Sequence, residues 1–171
     1  KALLEHAARV RDRLDPRGWL GVGLWLPKTA IDELLDEDGA LERFRGFLQD
    51  QRFDVRTLNA FPYGGFHRKK VKEKVFSPSW AEPKRLEYTR RCGETLAALL
   101  PEGASGSIST VPVGAPSVGF DRVQAVENLG PCAHSLEKIE QERGRRIVLS
   151  LEPEPAALLE TIGDAVVFLE D

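Results

Sequence analysis

The chain has 171 residues, enough for one domain with its own core, and its 42% hydrophobic and 30% charged residues are the balance of a globular protein. The 24 Lys and Arg against 27 Asp and Glu leave a net charge of −3, which argues against a nucleic-acid partner. No apolar run approaches the ~20 residues of a membrane span, and two cysteines without metal-finger spacing, Cys92 and Cys132, fit a reduced, cytoplasmic protein with no signal peptide.

The chain opens on "KALLEHAARVRDRL", already inside a helix-like pattern, and contains no methionine, even at position 1. Both features lead to the expectation that it is part of a longer chain. Residues 20–26, "LGVGLWL", are a short apolar run and predict a buried strand. Apolar residues at helical spacing follow over 30–49, loosened at Asp38-Gly39. Residues 54–59, "DVRTLN", predict a second strand, and 83–100 a helix with Leu86, Leu96, Leu99 and Leu100 on its inner face. A third strand is expected at 106–111, "GSISTV". The helix after it, 121–142, carries Val123, Val126, Leu129, Leu136 and Ile139, with Pro131 set to kink or break it. The fourth strand, 147–152, precedes a last helix with Thr161 as N-cap and Asp164 three residues on, a loose capping box.

Strict alternation of strand and helix implies a parallel sheet covered by helices. Helix-to-strand connections such as "DQRF" and "ERGR" are short, whereas the loops after the second and third strands are long. Elaborate loops at the C-terminal ends of parallel strands mark an active face. No G-x-G-x-x-G and no P-loop follows a strand, which favours a TIM barrel over a nucleotide-binding sheet. A full (β/α)8 barrel takes about 250 residues. The expected fold is therefore α/β and a single domain: a partial barrel of four βα units with a leading helix. Its open edges would be completed by self-association or by the remainder of the barrel.

Polar residues at the strand ends would converge on one mouth. The second strand offers Asn59, Tyr63 and His67; the third, Ser109 and Thr110; the fourth, Glu152 and Glu154, with Glu160 just before the last helix. In "IVLSLEPEP" each of Glu152 and Glu154 precedes a proline, which biases it toward extended geometry. A carboxylate held at a strand end suits a divalent metal or a substrate, and equally suits a solvated strand terminus. His6 and His134 sit in helical patterns and read as surface residues. The basic run Arg68, Lys69, Lys70, Lys72 and Lys74 reads as a solvated loop, or as a holder of a substrate phosphate or carboxylate.

Four ordered motifs, "TLNAFPYGGFH", "VKEKVFSPSW", "GSISTVP" and "LEPEPAALLET", resemble the TIM-barrel proteins of the bacterial ebo metabolite-traffic operon, which belong to the xylose-isomerase-like barrel superfamily of sugar phosphate isomerases and epimerases. The resemblance covers most of the chain. It implies that the visible strands are the second to fifth of eight, with the first before Lys1 and the rest after Asp171. It also implies that Glu152 occupies the place of the fifth-strand glutamate that binds a divalent metal (Mn, Mg or Zn). Glu160 then matches a second glutamate that contacts substrate, and the other metal ligands come from later strands.

The abasic-site endonuclease branch of the superfamily carries zinc-binding histidines at strand ends where this chain reads "NAFPY" and "STVPVG", without histidine. His67 falls several residues too late, so that reading ranks last. Two functions are expected from different classes. One is a metal-dependent isomerase or epimerase of a small polyhydroxylated or phosphorylated metabolite, with Glu152 and Glu160 catalytic and Asn59, Tyr63, His67 and Glu154 binding substrate. The other is a non-catalytic small-molecule-binding component of a metabolite export pathway.

Overall fold

The computed structural model describes residues 2–64, 75–116 and 121–170. Ten elements follow one another: α1 (Ala2–Leu14), β1 (Leu20–Trp25), α2 (Lys28–Asp36), α3 (Ala40–Asp50), β2 (Phe53–Asn59), α4 (Pro83–Leu99), β3 (Ser105–Thr110), α5 (Arg122–Arg143), β4 (Arg146–Leu151) and α6 (Ile162–Glu170). The strands form one sheet in the order β1-β2-β3-β4, and each neighbouring pair is parallel. Strands in sequence order lack the reversal that defines the switch point of a doubly wound sheet. Each strand lies within one residue of its expected position. Among the described residues no helix is long and apolar enough to cross a membrane.

The helix expected over 30–49, loosened at Asp38-Gly39, is two helices: the chain leaves α2 at Glu37 in extended geometry, and Gly39 turns it into α3 with a left-handed φ of 70°. Pro131, by contrast, does not break α5, which runs unbroken from Arg122 to Arg143. Its ring lies on the exposed face, where water can serve the Glu127 carbonyl that loses its helical donor. Val123 and Val126 are exposed as well; the buried stripe of α5 is Ala125, Asn128, Cys132, Leu136 and Ile139. The last helix begins as expected. Thr161 Oγ1 accepts from the Asp164 N–H at 3.1 Å, and an Asp164 carboxylate oxygen accepts from the Thr161 N–H at 2.8 Å. The Thr161 hydroxyl, which donates to the Asp164 carboxylate at 2.9 Å, and the Thr161 N–H together hold the Asp164 carboxyl below its usual range.

The pleat divides the sheet into two unlike faces. Leu24, Phe53, Val55, Leu58, Ile108 and Ile147 point to the helices and form the main core with Tyr88, Cys92, Leu96 and Leu136. Gly106 belongs to this face because a Cβ there would stand 2.8 Å from the Arg56 carbonyl oxygen and 3.2 Å from Leu96 Cδ2. Among the described residues no helix covers the opposite face, which is open and largely polar. A β-bulge at Arg56 between Val55 and Thr57 resets the register, so that Gly23, Thr57, Ser107 and Val148 form one row across it. Trp25, Asn59, Ser109 and Ser150 form the next row, one pleat nearer the C-terminal ends. A parallel sheet covered on both faces carries near-continuous hydrophobic strands. This one does not.

Candidate functional site

The site is the C-terminal margin of the open face. Ser109 and Ser150 are direct register partners, and Asn59 is the partner of Ser109 on the other side. Neighbouring strands lie ~4.8 Å apart, so the three side chains span roughly 10 Å. Beyond them the Glu152 N–H donates to the Thr110 carbonyl at 3.0 Å, extending the β3–β4 ladder one residue past β4. Glu152 is half-buried and has the same parity as Ser150, which puts it on the same face one pleat beyond the row. Trp25 joins the other end, with its indole N–H donating to the Pro62 carbonyl at 3.1 Å. Neither Trp25 nor Ser150 lies in a motif that marks it in the sequence. Both were accessible from pleat parity once the register was known.

The loops above this row are joined to one another. The Trp80 N–H donates to the Val113 carbonyl at 2.8 Å, and the Leu158 N–H to the Gly114 carbonyl at 3.0 Å, linking the connections after β2, β3 and β4. Phe61, Trp80, Val111, Val113, Leu159 and Phe168 make a second apolar cluster beneath them. Val113 takes a φ of 67°, costly for a β-branched residue. Its side chain is fully buried and its carbonyl is held by Trp80, which together offset that cost.

Arg85 fixes the base of the loop after β2. Its Nε donates to the Pro78 carbonyl at 2.7 Å, and its Nη1 to the carbonyls of Ala60 at 2.6 Å and Phe61 at 3.1 Å. Both ends of the loop thus meet on one guanidinium, which lies 5.9 Å from the Tyr63 ring centroid and 5.8 Å from that of Tyr88. Burial pulls Arg85 down to about 10, because desolvation penalises its charge. Burial likewise pushes the Cys92 and Cys132 thiols up to about 12, so neither is a nucleophile near neutral pH.

Of the residues selected from sequence, Asn59, Ser109 and Glu152 come together. Thr110 faces the helices and is fully buried. Tyr63 lies against the loop base: its ring meets Tyr88 edge-on at 5.1 Å, and its carbonyl accepts from the Lys28 N–H at 3.0 Å. Glu154 follows Glu152 in the loop, where its N–H donates to the Leu159 carbonyl at 3.1 Å. Glu160 is exposed, and its carboxylate accepts from the Ala156 N–H at 3.0 Å, closing that same loop. His67 and the basic run 68–74 lie outside the described residues. Asn59 Oδ1 accepts from the Phe61 N–H at 2.8 Å, which orients the amide at the end of β2.

Among the described residues no group of three or more His, Cys, Asp or Glu side chains is arranged to hold a metal ion. Glu152 is one donor, and the donors described do not by themselves fit the divalent ion that the resemblance implies. What they do form is a row of hydroxyls, one amide and one carboxylate, flanked by an indole. That set suits a ligand rich in hydroxyl groups, since serine donates or accepts and an ionised carboxylate accepts only. No protein-family model, curated protein or solved structure matches the chain.

Proposed function

We propose that the chain is one arc of a (β/α)8 barrel of the xylose-isomerase-like kind, and that it binds a small polyhydroxylated or phosphorylated metabolite at the C-terminal ends of its strands. The observation that carries this reading is the open polar face: Asn59, Ser109 and Ser150 in one row, with Glu152 one pleat beyond it. A barrel interior is the setting in which a parallel sheet keeps one face free of helices. The sequential order of the four parallel strands supports the same architecture. The outer edges of β1 and β4 are where further strands would join, from the rest of a longer chain or from a second copy.

In this reading Glu152 accepts hydrogen bonds from vicinal hydroxyls of the metabolite, and the serines and Asn59 orient its remaining polar groups. A carboxylate so placed beside a substrate carbonyl can take the proton from the adjacent carbon, the general-base step of an isomerase or epimerase. A divalent ion would add Glu152 to its ligands only together with donors outside the described residues, and no step is assigned to it. A second reading, a binding component of metabolite traffic without chemistry, is favoured by one observation: the Glu160 carboxylate is engaged on the Ala156 N–H, leaving Glu152 as the carboxylate nearest the row.

The experiment is incubation of the protein in D2O with a panel of pentoses, hexoses and their phosphates, with and without Mn2+, followed by proton NMR. Loss of a carbon-bound proton next to the carbonyl, abolished in Glu152→Gln, is the result expected of the isomerase. Saturable binding without exchange supports the binding component. Binding unaffected by Glu152→Gln would remove the site from both readings.

A further inference from the structure

On the helix-covered side of the sheet, behind the candidate site, Arg85 Nη2, Thr89 Oγ1 and Thr110 Oγ1 are buried polar atoms without a hydrogen-bond partner among the described residues. Their placement follows from how α4 rides on β3. A Cβ at Gly93 would stand 3.9 Å from Ile108 Cδ1, which sets the level at which helix and strand touch. The helix runs antiparallel to the strand that follows it. One turn back along α4 is ~5.4 Å, and two residues forward along β3 is ~6.6 Å. Those two steps bring Thr89 level with Thr110, on the side of the strand that Ile108 shares.

Arg85 lies one further turn along the same buried stripe of α4. Its Nη1 holds the Ala60 carbonyl, and the Ala60 N–H in turn donates to the Ser109 carbonyl at 2.8 Å. The guanidinium is thereby tied to the end of β3, beside Thr110. Among the described residues its acceptors are all neutral carbonyls, those of Pro78, Ala60 and Phe61. A buried cation with donors left over and no carboxylate bonded to it calls for a lone-pair-rich neighbour.

We propose that Arg85 Nη2, Thr89 Oγ1 and Thr110 Oγ1 together bind one small hydrogen-bond acceptor inside the fold, a halide ion or an ordered water molecule. The three groups supply a guanidinium N–H and two hydroxyl protons, and the positive charge excludes a metal cation. Either occupant ties α4 to the end of β3, directly behind the strand terminus whose Thr110 carbonyl holds Glu152. The site is independent of the metabolite reading, because it lies on the opposite face of the sheet.

The test joins a crystal structure grown in sodium bromide with two near-isosteric variants, Thr89→Val and Thr110→Val. The expected result is a density peak within hydrogen-bond distance of Arg85 Nη2 and both hydroxyls, and a lower melting temperature for each variant. An anomalous bromide signal, with a melting temperature that rises when chloride replaces gluconate at constant ionic strength, identifies a halide. A peak without anomalous signal and without that dependence identifies water. Valine variants as stable as the parent, with no peak, would overturn the proposal. So would a bromide peak that persists in Thr110→Val, which would mark an adventitious ion only. If either variant fails to fold, the density in the parent protein decides.

Discussion

The Glu152 N–H donates to the Thr110 carbonyl at 3.0 Å, so the sheet ladder continues one residue past β4, into Glu152. The carboxylate is therefore carried by strand geometry rather than by a free loop. Glu152→Gln keeps the backbone bond and removes the charge. A hydrogen bond to a charged group contributes about 1.5–3 kcal/mol, so metabolite affinity should fall about ten- to hundredfold. Folding stability should change by less than about 0.5 kcal/mol, as for a substitution outside the core. Calorimetric titration and urea denaturation of the two proteins separate these effects; equal affinity would remove Glu152 from the site.

Arg85 gathers both ends of the loop after β2, and lysine cannot reproduce its fork. Arg85→Lys leaves buried carbonyls without donors, each costing about 1–3 kcal/mol. The expected loss of unfolding free energy is on the order of 3 kcal/mol, read by urea denaturation with an unchanged slope. A loss below about 1 kcal/mol would mean that the guanidinium is not the clamp of that loop.

Two glycines should respond with opposite sign. A Cβ at Gly106 would stand 2.8 Å from the Arg56 carbonyl oxygen, a backbone atom that cannot step aside, and 3.0 Å from Leu100 Cδ1. Gly106→Ala should destabilise by about 1–3 kcal/mol, as overpacking of a close contact does. A Cβ at Gly46 in α3 would meet nothing within 4 Å. Gly46→Ala should stabilise by about 0.5–1 kcal/mol through helix propensity. Thermal melts of both variants check the contrast.

Asp164 reports on pH. Its folded pKa lies below the ordinary 3.8, chiefly through its hydrogen bonds with Thr161. A depressed acid contributes stability that is fully present above its unfolded pKa and is lost as pH falls through the folded value. Asp164→Asn should therefore melt earlier than the parent at neutral pH. The difference should shrink as pH drops below 3.8 and vanish once the parent carboxyl is protonated. A difference that is the same at neutral and strongly acidic pH would show that the capping carboxylate does not depend on its charge.

The strands were legible because each is a short run bounded by glycine, proline or charge, and the start of α6 because Thr161 and Asp164 have capping spacing. The place of Glu152 at the end of β4 was legible too, since a proline after a strand-end carboxylate restricts its backbone. The split between α2 and α3 showed only as a loosening at Asp38-Gly39, because apolar spacing runs on across it; the break lies in the extended backbone of Glu37 and the left-handed φ of 70° at Gly39. Arg85 was hidden by the general rule that arginine stays at the surface; its partners are backbone carbonyls of residues far along the chain. In the same way Tyr63 looked like a mouth residue, but edge-to-face contact with Tyr88 takes its ring to the loop base. Composition alone could not show that Ser109 and Ser150 stand side by side. That depends on the β3–β4 register.

The most direct test of the open polar face as the binding surface is amide chemical-shift mapping of the 15N-labelled protein during titration with the tightest-binding sugar of the panel. The account predicts saturable shifts centred on Trp25, Asn59, Ser109, Ser150 and Glu152, with Gly46 and the exposed end of α5 unmoved. Shifts gathered instead around the groove lined by Val113, Arg122, Leu158 and Phe168 would contradict it and place the ligand outside the sheet face.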